Sequence, residues 1–345
     1  QAVLVEFQIK PRTRMEEDER RLVGTRALRR SGGRGHWTKC CGLQLALHDD
    51  WVGAVACVAE LSGIACGVAT AATGLYDAAT GACLARVSCG SAPVSSVCSA
   101  GAGGKLLCGT WDGAVLLVDF VSGVLRRFQC ASWVTSVAYA EQLRTPIVGG
   151  DGSATVNGFD AEVSEQASWS VARKGVVSAI AFAPDLEAVV AADWSGRVAL
   201  IDVRAARACQ EMLVLDGSWP NDVAYDRRSQ TILSGCDDNR VRLWDVRKGA
   251  CRLELLCGDA VTAVATLQDC FALAAGDSGG KATLFEIGTG RKRQEWQCAG
   301  PVTSLAYASD LGSLAVADAT GGVDVFYRSS PDAQHEPQEM ICDGW

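Results

Sequence analysis

Residues 237–249 read DDNRVRLWDVRKG. Val241 and Leu243 alternate with Arg240 and Arg242, the period-two pattern of a strand with one buried face. The run ends in Trp244-Asp245 and a Lys-Gly turn. Whether this Trp-Asp pair marks a chemical site or a structural unit depends on recurrence. The same frame returns as Tyr76-Asp77, Val118-Asp119, Phe159-Asp160, Ile201-Asp202, Phe285-Glu286 and Phe326-Tyr327, at spacings of 41 to 43 residues. A second register agrees: VGAVAC at 52, VSSVC at 94, VTSVAY at 134, VSAIAF at 177, PNDVAY at 220, VTAVA at 261 and VTSLAY at 302. Two registers of seven members each define seven repeats.

Each repeat holds several short alternating runs separated by turn residues. In the fifth, 222–225, 231–235, 240–244 and 251–256 read as four strands. Gly81, Gly123, Gly249 and Gly290 fall at matched places after the Trp-Asp position, where a left-handed turn residue suits glycine. One four-stranded sheet cannot bury both of its faces, but seven packed radially can. The expected fold is all-β: a seven-bladed β-propeller of four-stranded antiparallel blades.

These residues resemble the WD-repeat (WD40) β-propeller family. SGCDDNRVRLWD at 234–245 is similar to the end of its repeat, and the likeness runs through all seven units, about 41–327. The Gly-His dipeptide that usually opens the family's repeat is absent; Ser91-Ala92, Gly175-Val176 and Gly258-Asp259 stand in its place. The family's His–Asp–Ser–Trp network is therefore not expected, even in blade five, where Ser234, Asp238 and Trp244 remain. The seventh unit ends after three strands. The alternating segment CGLQLALH at 41–48 is expected to supply its fourth, closing the ring and removing two sheet edges. Deleting 41–48 is expected to destabilise the whole ring. Outside it lie a basic arm, 1–40, partly helical over 15–30 or disordered, and a polar tail, 328–345.

Composition narrows the function classes. The net charge of −8 is uneven: residues 1–39 carry ten Lys/Arg against five Asp/Glu, leaving an acidic body. Such a body argues against broad phosphate contact and confines any nucleic-acid binding to the basic arm. No run of eighteen apolar residues suggests a membrane span, and the N-terminal AVLVEF patch is too short for a secretory signal. The sixteen cysteines form no C-x-x-C pair, and with three histidines there is little to build a metal set. They read as buried reduced thiols, which implies a reducing compartment, cytoplasmic or nuclear, with the cytoplasm favoured. No catalytic residue, metal or cofactor is expected.

The Trp-Asp pair itself reads as structural, because its equivalents occupy the same turn in most units. The other tryptophans are more informative. Trp51, Trp133 and Trp219 each precede the inner strand of blades one, three and five; Trp111 and Trp194 sit in the turn between second and third strands of blades two and four. Both places belong to one rim of a propeller, and tryptophan is enriched in binding hot spots. An alternative is that each indole lies over its own loop. Phe128, Trp169 and Trp296 fall in outer strands and read as packing groups.

The string from Leu233 to Arg247 also resembles the motif by which WD-repeat substrate receptors dock on a cullin-RING ubiquitin ligase adaptor. The resemblance implies that Arg247, and Arg204 in the half-matching blade four, would contact the adaptor. The leading reading is a monomeric, non-enzymatic scaffold that binds other proteins, within a multi-protein complex, through its rim and channel mouth. The ligase receptor, an RNA-associated assembly factor working through the basic arm, and a propeller enzyme remain the alternatives.

Overall fold

The computed structural model describes residues 5–6, 37–39 and 51–328, apart from 102, 121–124, 151–152, 161–165 and 214–216. Seven antiparallel sheets follow one another along the chain. Their innermost strands are Val52–Val58, Val94–Ser99, Val134–Ala140, Val177–Ala183, Pro220–Asp226, Val261–Leu267 and Val302–Ala308. Each abuts the next, and the last abuts the first, so the ring is closed. Blade five matches the sequence reading closely: Pro220–Asp226, Thr231–Cys236, Arg240–Asp245 and Ala250–Leu256.

Blades stack because their second strands are nearly side-chain-free where the neighbour arrives. Gly67, Gly109, Gly149, Gly235 and Gly276 each receive a γ-methyl from the first valine of the following blade: Val94, Val134, Val177, Val261 and Val302. A β-carbon at any of the five would lie within 2.8 Å of that methyl, so a side chain there would force the valine to shift; blades four and seven carry Ala192 and Ala317 at the same register. The second strands Gly63–Val68, Ala188–Asp193, Thr231–Cys236, Ala272–Asp277 and Ser313–Asp318 are buried throughout. Phe128 packs on Phe159 with ring centroids 5.3 Å apart, and Trp296 lies 4.4 Å from Phe326. Trp169 spreads over Gly158. All three act as the expected packing groups.

Polar links also run around the channel. In all seven innermost strands the ladder shifts register after the first residue. Backbone N–H groups just beyond that bulge donate to side chains of the preceding blade. Val55 N–H reaches Ser304 Oγ, Val137 N–H reaches Ser96 Oγ and Ile180 N–H reaches Ser136 Oγ, each at 3.1 Å. In blade six, Val264 N–H donates instead to the Asp222 carboxylate, at 2.7 Å, while the other oxygen of Asp222 accepts from Val223 N–H at 2.9 Å. Burial pushes the Asp222 carboxyl up to about 6, against the pull of these two N–H donors.

Closure comes from the N-terminal side, as expected, but through a different segment. The fourth strand of blade seven is Trp37–Lys39, paired antiparallel with Val323–Arg328. The expected segment 41–48 lies outside the described residues. So do 15–30 and 329–345, while 37–39, expected in the arm, belongs to the ring. The reason is visible in the side chains. Trp37 is buried beside Leu284, Leu314 and Phe326, and its backbone is clamped by Gln294, whose Nε2 donates to the Trp37 carbonyl at 2.8 Å. Lys39 pairs with Asp324 at 2.7 Å. Val5–Glu6 forms a short additional pairing along the outer edge of blade one.

The thirteen described cysteines are free thiols. Ten are buried or half-buried, and burial pushes Cys57 and Cys98 up to about 12, so they stay protonated. Cys83, Cys209 and Cys251 depart from expectation by being exposed, each on an outermost strand.

Candidate functional site: an aromatic arc on one rim

Because neighbouring strands are antiparallel, the loop leading into each innermost strand and the turn joining second to third strands lie at the same end of a blade. That end is called the upper rim. Trp51, Trp111, Trp133, Trp194 and Trp219 all lie there, and all are exposed: 37% for Trp51 and 50–52% for the other four. Trp51 and Trp111 meet edge to face with centroids 6.1 Å apart, linking blades one and two. Trp194 and Trp219 stack at 6.4 Å, linking blades four and five. Trp133 stands on blade three between the two pairs. The indoles thus form an arc over five consecutive blades. Ala260 and Pro301 occupy the corresponding places before the inner strands of blades six and seven.

The backbone beneath three of the indoles is tied down. In blade two, Thr110 Oγ1 donates to the Ala114 carbonyl at 2.9 Å, and Gly113 takes the left-handed conformation that completes the Trp111 turn. In blade four, the Asp193 carboxylate accepts from Ser195 N–H at 3.0 Å and from the Ser195 hydroxyl, with Gly196 left-handed after it. Trp219 N–H donates to Asp237 at 2.7 Å. Loops that carry exposed aromatics on so restrained a backbone present preformed anchors, and little conformational entropy is lost when something binds them.

Two buried arginines hold these turns from below, and neither was anticipated. Arg173 follows the outermost strand of blade three and is almost fully buried. It pairs with Asp193, under Trp194, and with Glu211, both at 3.0 Å. Arg242, on the third strand of blade five, is fully buried. Its Nη1 donates to Asp238 at 3.1 Å and its Nε to Glu254 at 3.2 Å. Burial alone would raise the Asp238 carboxyl, but the hydrogen bonds and charge of Arg242 hold it below the usual range. Half of the family's intrablade network also survives here: Trp244 Nε1 donates to Ser234 Oγ at 2.9 Å. Asp238 is engaged by an arginine in place of a histidine. That alternation of Arg240 and Arg242 suggested solvent-facing charges, and only Arg240 is one.

Arg204 and Arg247 lie at the opposite, lower rim, in the turns after the third strands of blades four and five. Arg204 is paired with Glu187, Nη2 to Oε1 at 2.7 Å. Arg247 donates from Nε to the neutral Gln230 at 3.0 Å. Asp245 accepts from Arg247 N–H at 2.9 Å and Lys248 N–H at 3.1 Å, as a turn-capping residue does. Gly81, Gly249 and Gly290 are left-handed in the equivalent turns; Gly123 lies outside the described residues. Among the described residues, no three His, Cys, Asp or Glu side chains gather to hold a metal ion, and no helix is long and apolar enough to cross a membrane.

Seven four-stranded blades in a closed ring define a β-propeller. A family model for the WD domain, G-beta repeat (WD40), matches residues 209–245, from the outermost strand of blade four through the third strand of blade five. The ring is a seven-bladed propeller that carries a match to this repeat over 209–245, and in that it is similar to WD40-repeat propellers. No curated protein matches it.

Proposed function

We propose that the ring is a non-enzymatic scaffold that grips partner proteins through the aromatic arc of its upper rim. The observation that carries this reading is the exposure of five indoles on one rim, four of them in cross-blade pairs. Exposed apolar groups of this size, gathered on one rim, are what interfaces use as anchors. The surrounding charge favours a partner with basic side chains. Asp112 and Asp259 are exposed on the same rim, where Lys174 is an exposed cation. Guanidinium and ammonium groups stack well on indole faces.

The free thiols support a reducing compartment, with the cytoplasm favoured over the nucleus. Membership of a larger complex follows from the same reading. The test is a Trp133→Ala/Trp219→Ala double variant in affinity purification beside the wild-type ring. The variant should melt within about 1 kcal/mol of wild type, because exposed side chains contribute little to stability, yet lose the protein that co-purifies. Undiminished recovery of that protein would discard the reading.

A further inference from the structure

The lower rim carries a second surface that the aromatic arc does not explain. Between the first two strands of blade five and the turn after its third strand lies an open groove of about 380 Å³, lined by Arg227, Arg228, Ser229, Gln230, Asp245 and Arg247. All three arginines are exposed, and none forms an ion pair among the described residues. Arg228 rests its guanidinium 3.4 Å from the centroid of the exposed Phe271 ring. Arg247 contacts the neutral Gln230. Of the carboxylates near by, Asp245 caps its own turn, Asp185 accepts from the Tyr225 hydroxyl at 3.0 Å and from Gln230 Nε2 at 3.4 Å, and Asp226 is buried with one oxygen accepting from Ser229 N–H at 2.9 Å.

Blade four is the internal control. Glu187 and Gln230 occupy the same left-handed position, with φ of 47° and 49°, and each carbonyl accepts from the turn below, Val203 N–H and Val246 N–H. In blade four that residue is a glutamate and neutralises Arg204. In blade five it is a glutamine, and two further arginines are added beside it. On a chain of net charge −8, three arginines against the one lining carboxylate of Asp245 make this a concentrated, net positive site.

We infer that this groove binds an acidic segment of a partner protein, with carboxylates on Arg227, Arg228 and Arg247 and an apolar side chain against Phe271. Planar guanidinium forks suit carboxylates. A single phosphate fits less well, because the turn N–H groups that would cradle it already donate to Asp226 and Asp245. The inference is independent of the aromatic arc, which lies on the other rim.

The probe is a fluorescent peptide of about twelve residues, rich in glutamate with a central leucine, followed by anisotropy at about 50 mM salt, where exposed charges are weakly screened. The wild-type ring should bind it. Gln230→Glu reproduces the blade-four arrangement at a position that already tolerates glutamate there, and should weaken binding roughly fivefold or more. Arg227→Ala/Arg228→Ala/Arg247→Ala should abolish it, while Trp133→Ala/Trp219→Ala leaves it unchanged. The inference is overturned if the wild type does not bind, or if Gln230→Glu and the triple variant bind as wild type. It is equally overturned if inorganic phosphate or a single-stranded oligonucleotide displaces the peptide at or below the peptide's own concentration, which would assign the groove to phosphate.

Discussion

Asp222 offers a sharp test of how the ring is held. Serines at the same place in blades two, three and seven accept an N–H from the next blade without charge; blade five uses a carboxylate. Burial carries that carboxyl from an ordinary 3.8 to about 6. The folded state therefore keeps its proton where the unfolded chain has lost it. Below about pH 4 both states are protonated and there is no penalty; stability falls as pH rises from 4 to 6 and is level above. At 1.36 kcal/mol per tenfold change in the ionisation equilibrium, the loss is between about 2 and 3 kcal/mol. Asp222→Asn removes the ionisation and adds only a constant offset from altered hydrogen bonding. In urea melts at pH 4.5, 5.5, 6.5 and 7.5, wild type minus Asp222→Asn should fall by about 2 kcal/mol, mostly below pH 6.5, the rest of the loss lying below pH 4.5. The two chains share every other titrating group, so the difference isolates this one. A flat difference would refute the reasoning. So would the opposite slope, which would mean that the two N–H donors outweigh burial.

Trp37→Ala should cost about 3–5 kcal/mol, as for a large side chain removed from a core, and should lower a single cooperative melting transition. A change under about 1 kcal/mol would mean that the closing strand is not needed for stability. Arg242→Ala should cost about 3–5 kcal/mol by leaving Asp238 and Glu254 without their buried partner, and Arg242→Met distinctly less under the same denaturation assay. Equal losses for the two would place the value of Arg242 in its ion pairs, with none in its packing.

Seven units were legible in the sequence because the Trp-Asp frame and the inner-strand frame repeat independently, and each repeat obeys period-two burial. The rim was legible for a related reason: Trp51, Trp133 and Trp219 share one frame and Trp111 and Trp194 another, and antiparallel pairing sends both frames to the same end. The closing strand was not. Three residues, Trp37–Lys39, are too few to show alternation, whereas 41–48 shows it plainly. Its pairing is decided by burial of one indole in a cluster that includes Leu284, Leu314 and Phe326, with Tyr307 edge-on to it, all distant in the chain. Arg242 was misleading because alternation reports which residues share a face, not whether that face meets water. Here its face packs away from solvent, and acids on another turn and strand, Asp238 and Glu254, compensate the charge. The lower groove joins two turns of one blade, and its meaning rests on Gln230 standing where blade four has Glu187, a contrast invisible until both turns are superposed.

The clamp between Trp37 and Gln294 spans 257 positions of chain. At about 5–20 residues per second, ribosomal synthesis would place roughly 13 to 50 s between the two partners. Throughout that interval the indole has no Phe326 or Leu314 to cover it, and six blades stand as an open crescent with two raw edges. Nascent chains of this protein would therefore expose a sticky aromatic early and bury it last, a window in which a chaperone has something to hold.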